Sequence, residues 1–262
     1  LSNLAAAQLL RDHLYTSGSW NNHQPFRYDL DDPLGSNIHN KLLSTYLSTK
    51  KGNCVSMPFL FIILGQKLGI EMTASTAPEH FFVKVADGHG GYVNFEATTA
   101  GVKSNASYQR DSAITPEAIT NGIYLQPLSK KETVVVMTST LNEFYAQQNY
   151  IGDRIALSDL AMEYYPKDVT AMLHKSSAYY RIMKQRFIDK YPTLFHIPAA
   201  EGQLYNALGY QISLWRGKAE ALGWREPPPE QKAEYLKFIE QVKENPPKGE
   251  VPSCQLTSGC PR

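Results

Sequence analysis

Apolar residues recur first at helical spacing, then in strand alternation, then at helical spacing again. Leu4, Ala7, Leu10 and Leu14 mark one side of a helix predicted over residues 3–15, with Ser2 or Asn3 as cap. Residues 16–35, rich in Gly, Ser, Asn, Asp and Pro, read as loop. Ile38, Leu42, Tyr46 and Leu47 predict a second helix after Asn37. It closes at Lys50-Lys51-Gly52, where cations suit the negative C-terminal end and glycine supplies the stop. A third helix opens at Cys54, inside "KGNCVSMPF". Pro58 falls in its first turn, where a missing N–H is harmless, and Gly65 and Gly69 flank its end.

The period then shortens to two. "EMTASTA", "HFFVKVA" and "GYVNFEATT" are short and rich in β-branched and aromatic residues, and "DGHGG" between the last two is a hairpin signal. From about residue 115 the helical period returns, in "TPEAITNGI", "KKETVVVMTSTLNEFYAQQN", "DRIALSDLAMEYYP" and "DVTAMLHKSSAYYRIMKQRFIDKYP". Ala156, Ala161, Ala171 and Ala178 fall where paired helices need small contacts. An irregular helical-hairpin repeat of tetratricopeptide type and an ordinary α-helical subdomain both fit. Two more helices are predicted near 201–223 and 230–243, the last with Tyr235, Phe238, Ile239 and Val242 as its core-facing stripe. The fold class is α+β. The expected organisation is a domain over 1–128, an α-helical region over 129–250 and a tail over 251–262.

Composition narrows the chemistry. The 262 residues suffice for a full core, and 42% hydrophobic with 19% charged residues reads as globular. A net charge of +1 gives no electrostatic reason to expect nucleic acid as partner. No segment is long and apolar enough to span a bilayer; Val55 to Leu64 is interrupted by Ser56 and Pro58 and suits a buried helix. Cys254 and Cys260 allow a small disulfide loop or two idle thiols. That spacing, with a start at Leu1, leads us to expect a periplasmic or secreted protein, the cytoplasm being the alternative. The sequence lacks His-Glu-x-x-His, paired-cysteine metal spacing, a phosphate loop and a Gly-x-Ser-x-Gly elbow, so neither metal nor cofactor is expected.

Cys54 is the residue placed for chemistry. A thiol becomes a good nucleophile when its pKa falls, and both a helix N-terminus and a neighbouring imidazolium lower it. The N–H groups of residues 54 to 56 are expected to point at the sulfur and to hold a developing oxyanion. His80, opening the strand after the apolar helix, is the histidine best placed to serve as base. If the hairpin pairs symmetrically about His89, His80 faces Thr98 and Phe82 faces Glu96, so all four share one face. Glu96 is then the diagonal neighbour of His80, within reach of a long side chain. A cysteine at a helix start and an isolated strand histidine or glutamate each have structural readings; helix, strand and strand in that order are more specific together.

These residues resemble a known family. "GNC" opening a helix, "PEHFFVKV" and "YVNFEATTAG" look like the Cys, His and acid motifs of the transglutaminase-like superfamily, a branch of the papain-like cysteine enzymes. "DDPLGSNIHNKLLSTYLSTKKGNCVSMPFLFIILGQKLGI", "ITPEAI" and "PLSKKETVVVMTSTLNEFYAQQNYIGDRIALSDLAMEYYPKD" extend the resemblance over residues 29–190. They match a mainly bacterial branch in which tetratricopeptide-type helices follow the first domain. The resemblance implies a Cys-bearing helix packed on a small antiparallel sheet. It also implies Cys54 as nucleophile, His80 as general base and acid, and Glu96 as the group orienting His80. Glu96 stands where the family usually has Asp, and Phe81 and Phe82 stand where a Trp is common. An oxyanion side chain usually comes from upstream, and Asn22, Gln24 and Asn37 are candidates. The implied reaction is acyl transfer at an amide of a peptide or protein, by hydrolysis or transamidation. A different class of function also fits: an inert module whose helical region, with Tyr164, Tyr165, Tyr179 and Tyr180, grips a protein partner.

Overall fold

The computed structural model describes residues 1–98 and 101–244, so Cys254, Cys260 and the tail expected over 251–262 lie outside the described residues. By its internal contacts the chain divides into two units. Among the described residues, the first comprises Leu1–Thr115, Tyr124–Thr133 and 226–244; the second comprises Pro116–Ile123 and Val134–Arg225.

The first unit is α+β. Helix α1 (Asn3–Tyr15) is capped by the Ser2 hydroxyl, which accepts from the Ala5 N–H, and it buries Ala7, Leu10 and Leu14 as its periodicity requires. The loop that follows contains β1 (Arg27–Tyr28), which pairs in parallel with β2 (Lys51–Gly52). The predicted second helix is broken: a 3₁₀ turn over Ile38–Lys41 passes through an extended Leu42 into α2 (Leu43–Thr49). Helix α3 (Ser56–Lys67) is apolar on nearly every side and buried from Ser56 to Ile62.

The sheet has the order β3–β4–β5–β6, antiparallel throughout: Met72–Ala77, His80–Ala86, Tyr92–Glu96 and Gly101–Val102. The β4/β5 ladder pairs Val83 with Phe95 and Ala86 with Tyr92, symmetric about His89 as expected. In the turn, an Asp87 carboxylate oxygen accepts from the N–H groups of His89 and Gly91. Phe81 and Phe95 of one face meet Phe59 and Phe61 of α3, while Tyr108 of helix α4 (Asn105–Asp111) stacks on Phe82 of the other. The β3 edge is covered by residues 125–128: Leu125 and Leu128 donate backbone N–H groups to Thr76 and Ala74.

In the second unit, α5 (Pro116–Asn121), α6 (Lys130–Gln147, from Val134), α7 (Ile151–Tyr164), α8 (Val169–Met183) and α9 (Gly202–Ala221) form an all-helical assembly, with α8 packed against both α7 and α9. Ala161, Ala171 and Ala178 are buried as expected; Ala156 is exposed, correcting its assignment to a helix contact. Met183, Phe187 and Leu208 centre an apolar cluster that takes in Tyr179, while Tyr165 is also buried and Tyr164 and Tyr180 face solvent. The last helix, α10 (Pro229–Glu244), belongs to the first unit, where Tyr235 and Ile239 pack with Leu30 and Leu34. Among the described residues no helix is long and apolar enough to cross a membrane.

Candidate active site

Cys54 lies in the turn just ahead of α3, 3% exposed. The turn is built by its neighbours. The Asn53 side-chain oxygen accepts from the N–H groups of Val55 (3.0 Å) and Ser56 (3.3 Å), and the Asn53 carbonyl accepts from Met57. The Ser56 hydroxyl accepts from the Asn53 N–H and donates to the Asn40 carbonyl. This is a reciprocal cap with Asn53 in the capping role. It corrects one expectation: the N–H groups of Val55 and Ser56 are committed to Asn53 and do not stand open for an oxyanion. Gly52 is required here by space. A Cβ would come within 2.6 Å of the Ser56 hydroxyl and of the Tyr46 ring.

His80 opens β4 and Glu96 ends β5, the central pairing of the sheet. Period-two alternation puts both on the face that carries Phe82. There the Nε2 of His80 lies 2.9 and 3.0 Å from the two carboxylate oxygens of Glu96. Thr98 donates its hydroxyl to the same carboxylate at 3.2 Å. The imidazole is walled by Phe82 and Tyr108, each 6.3 Å away between ring centroids. An anionic acceptor at Nε2 fixes the proton there, so in the neutral ring the lone pair sits on Nδ1. That atom is buried and has no hydrogen-bond partner among the described residues.

Further along the same face, Lys84 is buried with its ammonium donating to the Asn94 side-chain oxygen and lying 5.6 Å from the Phe82 ring centre. Burial pushes its pKa down from 10.5 to about 8. The alternation of "HFFVKV" puts Lys84 on this face, but a lysine in a strand reads as exposed unless the hairpin is known to be covered on both sides. The candidate oxyanion side chains lie at the surface. Asn22, Gln24 and Asn37 are all exposed, and the side-chain oxygen of Asn37 accepts from the His39 N–H. Asn53, completely buried beside Cys54, is the residue that sequence reasoning passed over; its cap role was readable from "NCVS".

Thus the structure brings His80, Glu96 and Thr98 into one hydrogen-bonded group and places Cys54 at the start of α3. A family model described as the transglutaminase-like superfamily matches residues 5–139. No curated protein and no solved structure matches the chain.

Proposed function

The chain belongs to the transglutaminase-like superfamily, and from that premise we propose that it is a cysteine-dependent acyl-transfer enzyme acting on an amide of a peptide or protein. The observation that carries this reading is the state of His80: Nε2 held by Glu96, Nδ1 buried and unpartnered. A ring fixed in that tautomer presents a basic nitrogen to a thiol. Cys54 gives its proton to His80, and Sγ bonds to the carbonyl carbon. The C–N bond breaks as His80 protonates the leaving amine. His80 next takes a proton from water, whose oxygen bonds to the carbonyl carbon. The C–S bond breaks, the acid leaves, and His80 returns its proton to Sγ, restoring the thiol. Glu96 keeps the ring oriented and stabilises its charged form. Water as acceptor makes the protein a protease or amidase; an amine in its place makes it a transamidase. Water is always present, and hydrolysis is the reading we adopt. We further assign the helices of the second unit to a tetratricopeptide-type region. Phe144, Tyr164 and Tyr180 are exposed there, and a protein partner held on them is the alternative reading, an inert binding module.

The test is the rate of Cys54 alkylation by iodoacetamide across pH, read by peptide mass spectrometry in wild type and His80→Ala. Rapid alkylation persisting well below the ordinary thiol pKa of about 8.5, and lost in His80→Ala, is the expected result. A Cys54 that is inert in the folded protein, or titrates the same way without His80, sinks the enzyme reading and leaves the binding module.

A further inference from the structure

We propose that the side-chain amide of Asn53 is the oxyanion donor of this site; the inference rests on the acyl-transfer reading and adds a residue to it. Every polar group of Asn53 but one is committed. Its N–H goes to Ser56, its carbonyl accepts from Met57, and its side-chain oxygen accepts from Val55 and Ser56. Those two donors fix which end of the amide is oxygen. The other end, Nδ2, is fully buried and has no hydrogen-bond partner among the described residues. A buried donor left without an acceptor opposes folding by about 1–3 kcal/mol, and such orphans ask for an explanation.

Capping does not supply one. An aspartate at 53 would accept from the same two N–H groups, leave no orphan donor and gain from the positive end of α3. The one thing asparagine adds is the pair of N–H bonds on Nδ2, carried by the residue joined directly to Cys54. An oxyanion forms beside Sγ when the thiolate attacks a carbonyl, and it needs donors that are already in place. The backbone donors at the start of α3 are reduced to the extent that Asn53 itself occupies those of Val55 and Ser56. Asn53 thus closes two N–H groups with its oxygen and offers two others with its nitrogen. The exposed Asn22, Gln24 and Asn37 have no such unpaid desolvation.

The experiment compares two reactions of the same thiol in the full chain. Alkylation by iodoacetamide is a displacement with no oxyanion; acylation by p-nitrophenyl acetate passes through one. Asn53→Ser keeps a capping oxygen and removes the amide donor, and Asn53→Asp keeps the cap with a different shape and charge. The expected result is alkylation of Asn53→Ser within about twofold of wild type, with acylation down about 10²-fold or more. In Asn53→Asp the acylation rate falls further than the alkylation rate. Equal loss of both reactions in both variants, or wild-type acylation in Asn53→Ser, overturns the role of Asn53 while leaving Cys54 as nucleophile. A wild-type Cys54 that reacts with neither reagent overturns the acyl-transfer reading itself and this proposal with it.

Discussion

A carboxylate with both oxygens at hydrogen-bond distance from one ring nitrogen does two things to His80. It selects the tautomer, and it favours the charged ring once a proton arrives. Glu96→Gln separates the two, because a glutamine oxygen still accepts from Nε2–H but carries no charge. Alkylation of Cys54 by iodoacetamide at pH 6 should fall at least about tenfold in Glu96→Gln, the lost stabilisation being about 1.4 kcal/mol or more. Thr98→Val, which removes only the hydroxyl donor to the carboxylate, should cost a few-fold. An Glu96→Gln protein that alkylates like wild type would show that Glu96 serves structure alone. At this scale the pairing of His80 with Glu96 was legible. His80 and Glu96 could be paired because a hairpin with a marked turn has a calculable register, and side chains alternate strictly along it. Asn53 was not legible as chemistry. An asparagine before a helix is the commonest kind of cap, and only the accounting of its four polar groups shows the one left over.

Hairpin β4/β5 carries a buried charge as well as a base. Lys84 stands on the face with His80 and Glu96, its ammonium over the Phe82 ring, and burial lowers its pKa to about 8 against 10.5 for an unhindered lysine. Below pH 8 the amine is charged in the folded and unfolded chains alike, and its desolvation opposes folding in full. Between about 8 and 10.5 the unfolded chain holds more proton, so stability from this group rises with pH. Towards the upper end the buried phenols of Tyr15 and Tyr46, raised above their ordinary value of 10.0 by burial, act in the opposite sense, since unfolding lets them ionise. The wild-type urea midpoint should therefore climb relative to Lys84→Met from about pH 7.5 to about 9.5. Parallel curves for the two proteins would place the amine in water. Elements like this hairpin are legible because their alternation and turn residues agree. The short α4 was missed because seven mostly polar residues carry no period. The break at Leu42 was missed because the apolar spacing runs on across a 3₁₀ turn and the following helix. The turn joining β3 and β4 is Pro78–Glu79, with Glu79 at φ 54°, and no glycine announces it.

The first unit is closed by α10. Of the stripe Tyr235, Phe238, Ile239 and Val242 on α10, Tyr235 and Ile239 are buried and Phe238 and Val242 half-buried; the side was legible, but its destination about 200 residues upstream was not, since periodicity tells which face is covered and never by what. The contacts lead from α10 to the candidate nucleophile in a few steps. The hydroxyl of Tyr235 lies 2.9 Å from that of Tyr28 and donates to the Pro33 carbonyl. Asp29, next to Tyr28, donates its N–H to the Gly52 carbonyl and accepts from the Asn40 side chain. The Asn40 carbonyl in turn holds Ser56, which caps the turn bearing Cys54. Tyr235→Ala deletes a buried ring and should destabilise the first unit by about 3–5 kcal/mol, as large-to-small core changes do. Tyr235→Phe, which removes only the hydroxyl, should cost about 1 kcal/mol. Hydrogen exchange read by peptide mass spectrometry separates the units. In Tyr235→Ala, exchange in the peptides of α3, β4 and β5 should quicken about 10²-fold or more where it proceeds by unfolding of that unit, with α8 and α9 little changed. Equal acceleration throughout the chain would mean that both units unfold as one. No change in α3, β4 and β5 would mean that α10 is dispensable to the scaffold holding Cys54 and His80.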